Sequence, residues 1–92
     1  MKINFFANYR LIAQKTSFDL DLPDGVTIHE VIIKIVEQIP PLRSSWFSPE
    51  GELYDHLNVF VNGVDAQTFP LYLDTPVRSG DSLEFLPPIA GG

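Results

Sequence analysis

One amphipathic helix, bordered on both sides by segments of alternating polarity, is the sequence feature that most constrains how this chain can fold. The helix begins at an S/T-x-x-E capping box formed by Thr27 and Glu30, with Val26 and Val31 at the positions of a hydrophobic staple. Pro40 ends it, because proline cannot continue a helix. Its apolar residues recur at helical spacing and form one stripe: Ile28, Val31, Ile32, Ile35, Val36 and Ile39. Such a stripe is buried against a second layer of structure.

Segments of alternating polarity supply that second layer. Asn62-Gly63 is a strong hairpin signal between two of them. Two strands, a helix and then further strands predict an α+β fold of the β-grasp type, with one main helix packed on one face of a mixed four- to five-stranded sheet. In that arrangement the first, last and third strands are neighbours. The predicted strands are Lys2 to Ala7, Thr16 to Leu22, Leu57 to Val61, Val64 to Ala66 and Ser82 to Leu86.

The connections between these elements are less regular. The segment from Asn8 to Gln14 is predicted to hold a helical turn. The segment from Gln67 to Arg78 is predicted to be a loop with a brief turn or a short strand. Between Leu42 and Tyr54 we expect a short helix followed by a turn, with Trp46 filling part of the core.

The amino-acid composition and the net charge exclude or disfavour several classes of function. The 92 residues suffice for one small domain, and the absence of cysteine excludes disulfides, thiolate metal sites and cysteine nucleophiles. The two histidines are not in metal-ligand spacing, so we expect no metal site. No acid–base pair, phosphate loop or catalytic triad can be assembled from the sequence, so we expect no bound cofactor and no intrinsic catalytic site. A formal net charge of -6 disfavours nucleic acid and favours a protein partner with a basic docking face. With no apolar run typical of a signal peptide or membrane span, we expect a cytoplasmic protein that binds no membrane.

The sequence closes on two prolines and a Gly-Gly dipeptide, and we divide it into a domain over residues 1–86 and a tail over residues 87–92. Glycine accepts backbone angles closed to other residues, so Ala90, Gly91 and Gly92 can enter a narrow channel of an activating enzyme. An α-carboxylate on Gly92 that attacks the α-phosphate of ATP becomes an acyl-adenylate, which sulfur or nitrogen nucleophiles open. A frayed end or a cloning remnant is the alternative explanation of the dipeptide.

Short motifs in a fixed order span nearly the whole chain. They are Phe5-Phe6-Ala7 with Arg10 and Ala13, Asn58 to Gly63, Leu73 to Val77 with Gly80-Asp81, and the closing Leu86 to Gly92. In this order and spacing they resemble the MoaD/ThiS family of ubiquitin-like sulfur carriers, and specifically its longer, archaeal-type MoaD-like members. The stretch from Leu42 to His56 is longer than in the shortest members and also resembles the CysO-type carrier that delivers sulfide for cysteine synthesis.

The resemblance implies a carrier that is a substrate and not itself an enzyme. A MoeB/ThiF-like adenylyltransferase would adenylate Gly92 with ATP and Mg²⁺, and a persulfide donor would convert the adenylate to a thiocarboxylate. A MoaE-like synthase large subunit would use that sulfur, which makes this chain the small subunit of molybdopterin synthase in molybdenum cofactor biosynthesis. The alternatives are sulfur delivery for cysteine, thiamin or tRNA, a protein modifier that forms isopeptide bonds, and an interaction module with an inert tail.

Strand alternation also leaves large apolar side chains on the sheet face that points away from the helix. Phe6, Phe60 and Leu86 share that face when the first, last and third strands are neighbours. We expect them to form a partner-docking patch. The alternatives are scattered hydrophobic residues of the ordinary kind, or a patch covered by the segment from Leu42 to Tyr54.

Overall fold

The computed structural model describes residues 1–88, and these contain five strands and three α-helices. In chain order the elements are β1 (Lys2–Phe5), α1 (Asn8–Ala13), β2 (Ser17–Asp19), α2 (Ile28–Gln38), α3 (Arg43–Trp46), β3 (Asn58–Val61), β4 (Val64–Asp65) and β5 (Ser82–Leu86). Single 3-10 turns lie in the connections at Pro40–Leu42, Ala66–Thr68 and Tyr72–Asp74. No helix within residues 1–88 is long and apolar enough to cross a bilayer.

The strands form one mixed sheet in the order β2-β1-β5-β3-β4. β1 and β5 run parallel, with Phe5 opposite Phe85, and the other neighbouring strands are antiparallel. Asn62 and Gly63 join β3 to β4 at positive φ values of 51° and 84°, as a type I′ hairpin turn requires. The last strand is therefore the central one. Both the predicted order of the first, last and third strands and the predicted β-grasp fold are confirmed.

The main helix, α2, forms where the capping box predicts it. The Thr27 hydroxyl accepts a hydrogen bond from the Glu30 backbone N–H at 3.1 Å, and the Glu30 carboxylate accepts one from the Thr27 backbone N–H, also at 3.1 Å. The stripe from Ile28 to Ile39 is buried, whereas Ile33, which lies off the stripe, is 38% exposed. Since full burial of one aliphatic side chain is worth about 1.5–3 kcal/mol, this stripe anchors the helix to the sheet.

Aromatic rings from the sheet and from the segment after α2 meet in the core. The fully buried Trp46 ring stacks on Phe85, with 5.0 Å between ring centroids, and meets Tyr9 edge-on at 5.6 Å. Phe5 lies 6.2 Å from the same ring. Phe5 and Phe85 belong to the buried core on the helix side of the sheet, so the segment from Leu42 to Tyr54 packs on that side and not over the outward face. The predicted core position of Trp46 is confirmed.

β2, at Ser17–Asp19, is shorter than the strand that alternating polarity predicts from Thr16 to Leu22. The register places Asp19 opposite Lys2, the first residue of β1, so the residues beyond Leu20 have no strand residue beside them. Leu20 is buried nevertheless, so the alternation correctly identifies the side chain that faces the core. The predicted turn within Gln67 to Arg78 takes the form of a 3-10 turn and not of a short strand.

Loops at one end of the sheet are tied together through Asp24. Its carboxylate accepts a hydrogen bond from the Ser79 backbone N–H at 2.7 Å. This bond, followed by one from the Ser79 side chain, lowers the pKa of Asp24 below its usual 3.8. A carboxyl group whose pKa is lower in the folded than in the unfolded chain stabilises the fold above its unfolded pKa, and this contribution is lost as pH falls.

We therefore expect Asp24→Asn to lower the free energy of unfolding at neutral pH. The difference from the wild type should shrink as pH falls below 3.8, through the lowered pKa of the folded protein. Denaturant unfolding of both proteins over a series of pH values measures this difference. An equal difference at neutral and acidic pH would show that the Asp24 carboxylate does not contribute through its charge.

Candidate functional site

The outward face of the sheet carries the apolar residues that the sequence places there. Phe60 of β3 lies opposite Glu84 of β5, and Leu86 is two residues further along β5. The Phe6 backbone N–H donates to the Phe85 carbonyl at 3.1 Å, which sets Phe6 beside Leu86. Phe6, Phe60 and Leu86 are each partly exposed and are not among the side chains packed in the core. These three side chains are called the outward patch below.

Arg10 extends the outward patch at the end where the chain leaves β1. Its Nε donates to the Phe5 carbonyl at 3.0 Å, and its guanidinium carbon lies 5.2 Å from the centre of the Phe6 ring. The placement depends on Ala7, whose φ of 53° turns the chain from β1 into α1. Alanine is uncommon at positive φ, and backbone strain of this kind concentrates at functional sites. The guanidinium is thereby held next to the ring of Phe6.

The tail leaves the sheet beside this patch. β5 ends at Leu86, and the Asn58 side-chain amide donates to the Pro87 carbonyl at 3.4 Å. The chain therefore enters the tail from the central strand, directly next to the outward patch. The predicted activation site and the residues leading into it lie outside the described residues: Ala90, Gly91 and Gly92. The division of the chain after residue 86 stays a prediction.

A groove adjoins the origin of the tail. It has a volume of about 450 Å³, and Tyr9, Tyr54, His56 and Pro87 are among its lining residues. The rings of Tyr54 and His56 stack with centroids 5.0 Å apart, and His56 Nε2 lies 3.2 Å from the Ser45 carbonyl oxygen. The segment from Leu42 to His56 thus forms a wall beside the point where the tail begins.

Residues 1–88 show little of the chemistry of a catalytic centre. Within that range no cluster of histidines and carboxylates could hold a metal ion, and no charged side chain is buried. Burial raises the pKa of Tyr9, and the nearby indole N–H of Trp46 opposes this shift without reaching hydrogen-bond geometry. Within residues 1–88 the features that stand out are the outward patch and the start of the tail.

Two charged residues of this face were missed as site residues from the sequence. Arg10 reaches Phe6 only because of the turn at Ala7, and no local sequence signal indicates that contact. Glu84 alternates with Leu83 and Phe85, both buried, so the pattern that places Leu86 on the outward face places Glu84 there too. The signal for Glu84 was present in the sequence.

Comparison with known proteins gives end-to-end matches. The chain is 33% identical over 92 residues to small archaeal modifier protein 1 from Haloferax volcanii, covering 100% of both chains. The crystal structure of that protein superposes with a TM-score of 0.86, covering 100% of this chain and 98% of the other. A chain in the BexX/CysO complex of Amycolatopsis orientalis superposes with a TM-score of 0.77 at 25% identity, covering 99% and 98%. The sequence model of the ThiS family matches residues 3–92, and the chain belongs to that family.

Proposed function

We propose that this chain is a ubiquitin-like carrier whose Gly92 α-carboxylate is activated by a MoeB/ThiF-like adenylyltransferase with ATP and Mg²⁺. The observation that carries the proposal is the ThiS family match, which runs through to Gly92. In the reaction the carboxylate oxygen attacks the α-phosphate of ATP, the bond to the β-phosphate breaks, and pyrophosphate leaves. The chain is the substrate, so the activating enzyme supplies the catalytic groups.

The acyl-adenylate on Gly92 can react with two kinds of nucleophile, sulfur or nitrogen. The terminal sulfur of a persulfide donor can displace AMP to give an acyl disulfide. A thiol of the sulfur-donor system then attacks the donor-side sulfur, which releases the thiocarboxylate on Gly92 and leaves a disulfide on the donor. A lysine amine that displaces AMP instead forms an isopeptide bond. The MoaD/ThiS resemblance supports sulfur transfer, and the name of the Haloferax volcanii relative, a modifier, supports conjugation. A narrower form of the proposal passes the sulfur to a MoaE-like subunit for molybdopterin synthesis, with cysteine, thiamin and tRNA as the alternative acceptors.

The activating enzyme binds the outward patch in this proposal. An enzyme that holds the tail in its active site necessarily lies close to the surface from which the tail starts, and Leu86 is the last residue before it. Three large, partly exposed apolar side chains on that surface are typical of a binding site. The binding energy then comes from the folded domain, while the chemistry takes place at Gly92.

We expect Phe60→Ala and Leu86→Ala each to weaken binding to the activating enzyme by at least about 1 kcal/mol, because each removes an apolar anchor of the interface. Stability should change by no more than about 0.5 kcal/mol, as is usual for surface substitutions. Calorimetric titration and thermal melting measure the two effects. Leu71→Ala is the matched control, since Leu71 is 60% exposed outside the sheet. Unfolding of the variants, with unchanged binding per folded molecule, would place these side chains in the core.

Pyrophosphate exchange tests the proposed activation. The purified chain is mixed with the MoeB/ThiF-like enzyme from the same genome, ATP, Mg²⁺ and labelled pyrophosphate. We expect label to enter ATP only when the chain is present, because formation of the acyl-adenylate is reversible. Exchange that does not depend on the chain would overturn the proposal. Masses of the chain and of cellular proteins joined to it then distinguish a thiocarboxylate from an isopeptide.

A further inference from the structure

Glu84 lies at the centre of the outward face. It belongs to β5, the central strand, and the register places it opposite Asn4 of β1 on one side and Phe60 of β3 on the other. Leu86 follows two residues later on the same face. A carboxylate therefore stands beside two side chains of the outward patch, Phe60 and Leu86.

No cation lies within 4.0 Å of the Glu84 carboxylate in the described part of the chain. Within residues 1–88 the one ion pair closer than 4.0 Å joins Lys34 and Glu37, on α2. Asn4, the residue opposite Glu84 on β1, donates its amide to the Ser82 hydroxyl at 3.0 Å. Glu84 is only partly exposed, so a partner lying flat on this face would remove its carboxylate from water.

Glu84 forms no ion pair within residues 1–88. Glutamate is depleted in strands, where β-branched and aromatic residues are favoured. A residue that runs against local propensity and has no ion pair in the described part of the chain is a candidate for a functional role. A compensating cation is then expected from outside the chain.

We propose that the protein that docks on the outward patch presents an arginine to Glu84. The inference rests on the proposed function, in which that protein is the activating enzyme. Burying an unpaired carboxylate in an apolar contact is costly, whereas a guanidinium forms two parallel hydrogen bonds with a carboxylate. Apolar atoms of the partner surround the arginine and pack on Phe6, Phe60 and Leu86. A partner surface that lacks the cation binds more weakly, because it buries the Glu84 carboxylate unpaired. Glu84 therefore contributes to the choice of the protein that binds the outward patch.

The chain's charge agrees with a cationic partner surface. Its formal net charge is -6, which favours encounter with a basic protein face and makes association sensitive to salt. A partner that used only apolar contact would gain nothing from Glu84. Removal of the carboxylate should weaken binding if the partner presents an arginine, and should not weaken binding if the contact is only apolar.

Binding of Glu84→Gln and Glu84→Arg to the purified MoeB/ThiF-like enzyme from the same genome tests the inference. We expect the neutral, nearly isosteric Glu84→Gln to raise Kd at least tenfold and to reduce the salt dependence of Kd. Glu84→Arg should abolish measurable binding, because it places like charges together. Glu50→Gln is the matched control: it removes the same charge from an exposed loop residue and should leave Kd unchanged within about twofold.

Binding and adenylation, measured together, distinguish a wrong arginine pairing from a wrong proposed function. Circular dichroism and melting curves verify that each variant is folded, which is expected for substitutions of a partly exposed side chain. If wild type is adenylated and Glu84→Gln binds as well as or better than wild type, the arginine pairing is wrong while the proposed function stands. If wild type is neither bound nor adenylated, both are wrong. Recovery of Glu84→Arg binding by an Arg→Glu substitution in the enzyme would identify the paired residue directly.

Discussion

Deletion of Gly92 is expected to abolish adenylation by the activating enzyme. The deletion moves the α-carboxylate back by one residue, and a catalytic geometry that is wrong by about 1 Å already costs on the order of a hundredfold in rate. The melting temperature should not change, because β5 ends at Leu86. Pyrophosphate exchange and thermal melting measure the two properties on the same samples.

Two further variants make the Gly92 prediction specific. Extension by one residue beyond Gly92 should abolish exchange as the deletion does, since it moves the carboxylate in the opposite direction. A bulkier residue at position 91 should slow exchange without abolishing it, because the carboxylate keeps its place while the channel must accept a side chain. Equal exchange by wild type and by the Gly92 deletion would contradict the proposed role of this residue.

Phe85→Ala is expected to lower the free energy of unfolding by about 3–5 kcal/mol, the usual cost of removing a buried aromatic ring. Phe85 is fully buried on the central strand and lies 5.0 Å from the Trp46 ring and 6.4 Å from the Phe5 ring. Urea unfolding measures the effect. Leu86→Ala is a control from the adjacent position, whose side chain points to the opposite face of the same strand. Comparable destabilisation by both variants would show that this alternation is wrong.

Much of the fold could be predicted because its signals are local. The capping box at Thr27 and Glu30 and the Asn62-Gly63 turn are satisfied within a few residues of chain, so tertiary contacts do not need to be known. The end of β2 was less predictable. It depends on how far β1 extends beside it, and that is a property of the pairing register.

The candidate site also contains residues that the sequence predicts and residues that it does not. Alternation on β5 is sufficient to place Leu86 outward, and strand order brings Phe6 beside it. The stacking of Arg10 on Phe6 could not be predicted, since it depends on a positive φ at Ala7, a residue with no intrinsic preference for that conformation. The position of Glu84 between Asn4 and Phe60, and its lack of an ion pair within residues 1–88, depend on the register of both neighbouring strands and could not be predicted.

The central claim is that the carboxylate of Gly92 is the group on which this protein's function depends. Fragment-ion mass spectrometry of the intact chain, after reaction with the activating enzyme, ATP, Mg²⁺, a persulfide donor and a thiol that releases the thiocarboxylate from the acyl disulfide, tests it most directly. We predict a mass gain equal to the difference between sulfur and oxygen, carried only by fragments that contain Gly92, with the adenylate in its place when the sulfur donor is omitted. An unchanged chain under both conditions, or a modification on fragments without Gly92, would contradict the claim.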